Sequence, residues 1–147
     1  MQDIRGDLKT YNKQDIAIEY LNLALAEYVK GTNMFATLNL AGAAEEMLGK
    51  IVRQNGDKSA HDKVVEMFVS WYEIAKKNMP KRNNINSFIL KAKNGVKHLD
   101  GENDLTIELD LEKEVKETIR KAIENYNKIP SLTYTKEMLA YHQHQKT

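Results

Sequence analysis

Residues 18–52, IEYLNLALAEYVKGTNMFATLNLAGAAEEMLGKIV, most constrain what this chain can become. They hold two long stretches with apolar residues at helical spacing, parted only by Gly31-Thr32-Asn33. In the first, Leu21, Ala24, Leu25, Tyr28 and Val29 fall on one face, with Ala17 just before the stretch continuing it. In the second, Leu38, Ala41, Ala44, Leu48, Ile51 and Val52 do the same, with Asn39, Glu46, Lys50 and Arg53 opposite. Two amphipathic helices joined by so short a turn must lie antiparallel and share their apolar faces.

The same reading predicts helices over 13–30, with Asn12 as N-cap, and over 34–54, broken by NGDKS. A third runs over about 60–77; its Val64, Val65, Phe68, Val69, Trp71, Tyr72, Ile74 and Ala75 wrap most of the circumference. It is therefore expected to be the most buried, with Phe68, Trp71 and Tyr72 as packing residues. A fourth follows Pro80 over 84–99, and a fifth, capped by Asp110, runs to about Lys128 before Pro130. The expected fold class is all-α, an up-and-down bundle of about five helices in one domain over 1–129. Residues 130–147 are expected to be a loosely attached tail.

Composition excludes several chemistries. The absence of cysteine removes disulfides, thiolate metal sites and a cysteine nucleophile. No run of apolar residues approaches a membrane span, and the mixed charge of MQDIRGDLKTYNKQ is unlike a signal peptide, so a cytoplasmic protein without a membrane partner is expected. No phosphate-cradling glycine loop, Ser/His/Asp arrangement or zinc-protease motif is present. Asp57, His61 and Asp62 lack ligand spacing, and His142 and His144 cannot share a helical face, so neither a metal nor a cofactor is expected.

The net charge of +1 conceals a segregation. Between Glu73 and Asp100 there are seven lysines and arginines and no acid; from Asp100 to Glu117 there are eight acids against Lys113 and Lys116. The blocks either neutralise each other, within the chain or across a dimer, or present local fields to a ligand. On the fourth helix Ser87, Lys91, Asn94 and His98 are spaced as one polar stripe off the apolar face, with Lys93 and Lys97 beside it. Histidine exchanges a proton near neutral pH, and the lysines suit a phosphate. A histidine near a helix C-terminus also needs no function to be favourable there. Gly95 leaves room beside His98 for a ligand or a partner helix. On the second helix Glu45 falls within the apolar arc, where a carboxylate requires a partner. Gly42 and Gly49 on the same edge predict a close helix crossing.

The hairpin of 18–52 and KNGVKH (93–98) together resemble the HEPN superfamily (higher eukaryotes and prokaryotes nucleotide-binding), over about residues 14–125. The resemblance implies a helical bundle, commonly a homodimer with the motif helices facing each other. In active members, metal-independent ribonucleases, a histidine assists attack of the ribose 2′-hydroxyl and an arginine stabilises the developing charge; other members only bind or dimerise. Here Asn94 and His98 match the motif, but Lys93 stands at the arginine position, and lysine does not reproduce the bidentate fork. The implied function is RNA or nucleotide binding with at most weak ribonuclease activity. His98, Lys93 and Asn94 would form the catalytic set, with Glu45 as an outside candidate and Lys97 and Lys91 on phosphate. The alternative is a non-catalytic protein-interaction or dimerisation module with a cognate partner.

Overall fold

In the computed structural model, which describes residues 6–147, the chain is all-helical. Seven helices are present among the described residues: α1 Lys13–Lys30, α2 Met34–Gln54, α3 Ala60–Ile74, α4 Arg82–Ile89, α5 Lys91–Gly95, α6 Leu111–Asn127 and α7 Lys136–Gln145. The expected class holds; the count rises from five to seven because one expected helix is divided and the tail supplies another.

Local chemistry accounts for the helix ends. Asn12 accepts a hydrogen bond from the Gln14 amide and starts α1; Gly31, at φ 72°, ends it in the left-handed conformation. The Glu27 carboxylate then accepts from the Thr32 hydroxyl and the Asn33 side-chain amide, both at 2.9 Å, tying the turn to α1. Ser59 and Asp62 form a reciprocal capping box at the start of α3, and Asp110 accepts from the Lys113 amide to start α6.

The core lies between α1, α2 and α6. Leu21 and Leu25 of α1, Leu38 and Leu48 of α2, and Val115 and Ile119 of α6 are fully enclosed in it. Burying such a side chain contributes about 1.5–3 kcal/mol, so these three helices carry most of the apolar stabilisation.

Three expectations require correction. The segment 130–147 is not loosely attached: Thr135 starts α7, its hydroxyl donates to the Asn22 side chain at 2.9 Å, and Met138 and Tyr141 are buried against α1. Tyr141 also meets Tyr28 edge-on, ring centroids 5.4 Å apart. Its sequence, KEMLAYHQHQ, is too polar to advertise a helix of its own.

The third helix is not the most buried. It ends at Ile74, only Ala60 and Val65 are buried, and Met67, Trp71 and Ile74 are 69%, 52% and 82% exposed. Apolar residues all round a helix imply burial only if neighbours exist on every side; α3 packs mainly against α6 and α4, and Met67, Trp71 and Ile74 are left facing out.

The expected helix over 84–99 is broken at Leu90 (φ −92°, ψ 2°), and regular helix ends at Gly95, so His98 lies beyond it. Each half answers to a different neighbour. In α4, Phe88 packs edge-on against Phe68 and Asn86 bonds His61, both of α3; in α5, Lys93 reaches across to α2. Phe88 and Leu99, which helical spacing over 84–99 puts on one apolar face with Ile85, Ile89, Ala92 and Val96, are each 67% exposed.

Candidate functional site

Glu45 is 3% exposed and has the partner its position demands: the Lys93 ammonium lies 3.5 Å from its carboxylate and 3.1 Å from that of Glu46. Lys93 is itself 7% exposed. Its stem lies flat over Gly42, where a Cβ would stand 2.9 Å from Lys93 Cγ. The glycine is thus required by a lysine side chain crossing the helix rather than by a helix backbone. Gly49 serves the other approach: a Cβ there would stand 3.1 Å from the Asn125 amide nitrogen and 3.3 Å from Ser59.

Around this pair α2, α4, α5 and the first turn of α3 enclose a cleft of about 470 Å³. Four cations (Lys50, Arg53, Arg82, Lys93) and three carboxylates (Glu45, Glu46, Asp62) line it, with His61, Asn86 and Asn94. Most charges are internally satisfied. Arg53 holds Asp62 through two bonds of 2.9 and 3.1 Å and also donates to Ser59; Lys50 pairs with Glu46 at 3.1 Å. The hydrogen bond and charge of Lys93 pull Glu46 down to about 2, and the Arg53 guanidinium brings Asp62 to about 2. Arg82 makes no ion pair or hydrogen bond among the described residues and is exposed. His61 shares a 2.9 Å hydrogen bond between Nε2 and Asn86 Oδ1, and its Nδ1 is buried with no partner.

The residues selected from the sequence are therefore divided. Lys93, Asn94 and Glu45 line this cleft; His98 does not. The His98 amide donates to the Asn94 carbonyl at 3.1 Å, continuing one helical turn past α5, but its side chain is exposed and outside the cleft. Lys91 and Lys97 are exposed, and Lys91 faces a separate groove. Ser87 turns its hydroxyl onto the Asn83 carbonyl, so the polar stripe loses its first member. The space at Gly95 is filled by the Ile107 side chain, whose Cδ1 would collide with a Cβ there.

Arg53 and Arg82, which nothing in the sequence connects to Lys93, enter the same cleft through the fold, as does His61. Their only sequence signal was residue type. Among the described residues no three metal-binding side chains converge. His142 and His144 instead pack beside Tyr134, Tyr141 and Tyr28. Comparison of the chain with protein-family models, with curated proteins and with solved structures finds no match in any of the three.

Proposed function

We propose that the chain binds the phosphates of RNA or a nucleotide in the cleft between α2, α3, α4 and α5. The observation that carries this reading is the gathering of Arg82, Arg53 and Lys50 around Lys93 and Asn94 of the KNGVKH motif. Arg82 has its guanidinium uncommitted, and Arg forks suit phosphate oxygens. Asn86 and Asn94 offer amides for sugar or base edges. Lys93, already claimed by two carboxylates, shapes the floor rather than supplying a free charge. Binding is favoured over cleavage, because His98 stands outside the cleft that would hold the phosphate.

Anisotropy of a labelled single-stranded RNA, titrated over a range of salt, tests the reading. Affinity should fall as salt rises, and Arg82→Ala should weaken binding on all sequences alike and reduce the log–log salt slope by about 1. An Arg82→Ala variant that binds as the wild type does would dismiss the cleft. Cleavage of the same RNA in EDTA, abolished by His98→Ala, would restore the ribonuclease reading.

A second reading, a protein-interaction module that forms a homodimer or takes a cognate partner, has its own support. Met67, Trp71, Ile74 and Phe88 are exposed on α3 and α4, with Lys77 5.0 Å over the Trp71 ring. No ion pair within the described residues joins the basic block of 76–97 to the acidic block of 100–117. Both surfaces are thus available to a second chain. Sedimentation velocity should give a dimer for the wild type and a monomer for Trp71→Glu; a monomeric wild type would remove the homodimer.

A further inference from the structure

The outer face of α3 carries apolar surface that the bundle does not cover. Met67, Trp71 and Ile74 are spaced four and three residues apart, so they form one stripe, and all three face out. Tyr72 meets the Trp71 ring edge-on with centroids 4.9 Å apart, and the Lys77 ammonium lies 5.0 Å over that ring. Met67, Phe68 and Trp71 bound a shallow apolar depression of about 340 Å³.

The charge that follows this stripe has one sign. Lys76, Lys77, Lys81 and Arg82 succeed α3 in the chain; all four are exposed, and none forms an ion pair among the described residues. The acids of α3 lie elsewhere. At about 100° per residue, Glu66 and Glu73 fall well round the helix from Trp71, and Glu66 is paired with Lys58 at 2.7 Å. The last of the four cations, Arg82, lines the phosphate cleft. The backbones of Lys77 and Arg82 are separated by at most about 18 Å, the reach of five extended residues. A cationic path of a few nucleotides' length therefore joins the Trp71 stripe to the cleft.

We infer that single-stranded RNA held in the cleft continues over Lys81 and Lys77 and stacks a base on Trp71, in the depression beside Met67. The inference rests on the phosphate reading of the cleft and narrows its ligand from a lone nucleotide to a strand. Aromatic side chains beside backbone-tracking cations are how single strands are held without reading their sequence. The charge selects this occupant. A second copy placed on the same face by a twofold axis would set Lys76, Lys77 and Lys81 against their equals. A neutral apolar partner would leave them without a counter-charge. An anionic bilayer supplies the charge, but a flat surface does not follow Arg82 into the cleft. A strand supplies phosphates for the path and a planar apolar base for the ring.

Trp71 is the only tryptophan in the chain, so its emission reports stacking directly. The test is titration of the full chain with decauridylate and with uridine monophosphate, following tryptophan emission and affinity. Decauridylate should quench Trp71 over the concentration range in which it binds. The monophosphate, confined to the cleft, should leave the emission unchanged. Trp71→Leu keeps an apolar side chain and removes the ring. It should weaken decauridylate about tenfold and leave the monophosphate unaffected, and Trp71→Phe should recover most of the loss. Lys77→Ala should weaken decauridylate and flatten its salt dependence. Decauridylate that binds without changing Trp71 emission, and binds Trp71→Leu as it does the wild type, would overturn this inference alone; Arg82→Ala decides the cleft reading separately. Trp71-dependent binding to phosphatidylserine vesicles, or a Trp71-dependent dimer, with decauridylate left unbound would give the face to a lipid surface or a second copy and overturn it as well.

Discussion

Lys93→Met is expected to destabilise the protein by about 3–5 kcal/mol, the cost of leaving one member of a buried ion pair without its partner. Glu45, 3% exposed, is then the uncompensated charge; Glu46, on the outer side, returns to solvent. Methionine keeps the stem that lies over Gly42, so the loss reports the charge rather than a cavity. The double variant Glu45→Met/Lys93→Met should recover most of the stability, since apolar residues of similar volume replace such pairs at little cost. Denaturant unfolding of the three proteins measures both effects. A Lys93→Met variant as stable as the wild type would show that the pair does not hold α5 to α2.

The same contact sets part of the acid response. Glu46 titrates near about 2 in the fold against an ordinary 4.5, because Lys93 and then Lys50 stabilise its carboxylate. A depressed folded value means that the unfolded chain takes up the proton first. The contribution of this group is therefore complete above about pH 4.5 and is lost as the pH falls toward about 2. In Lys93→Met that loss should be shallower, while the portion from Asp62, lowered by Arg53, remains.

Asn125→Ala is the second large effect. Asn125 is fully buried; its side-chain oxygen accepts from the Ala60 amide at 2.8 Å and its nitrogen donates to the Glu45 carbonyl at 3.0 Å. One side chain on α6 thus satisfies the first turn of α3 and the middle of α2, and Gly49 leaves the room it needs. Its loss strands the buried Ala60 amide at the start of α3, at about 1–3 kcal/mol. It also removes a second donor from the Glu45 carbonyl, which keeps its bond within α2, and leaves a cavity beside Gly49. A melting temperature lower by about 10 °C is expected for a chain of this size. Amide exchange at Ala60 should accelerate in step. Unchanged protection there would mean that α3 docks by other means.

What could be seen in the sequence follows the kind of force involved. The α1–α2 hairpin and α6 were legible because each has a single apolar face that recurs at helical spacing and is buried as a unit. Glu45 was legible as a residue in need of a partner, since a carboxylate among Leu38 and Val52 is a conflict within one helix. The identity of that partner was not, because Lys93 comes from a different helix. The break at Leu90 carries no glycine or proline. It arises because Asn86 and Phe88 follow α3 while Lys93 follows α2.

The sequence by itself determined that the chain is helical, where its longest helices begin and end, and which faces they bury, because capping and amphipathic spacing act within a few residues. Only the tertiary structure decided that Arg53, Arg82 and His61 join Lys93 and Asn94 in one cleft, and that His98 stands outside it. Those outcomes depend on which helices become neighbours, and charge and packing between helices leave no periodic trace in any one of them.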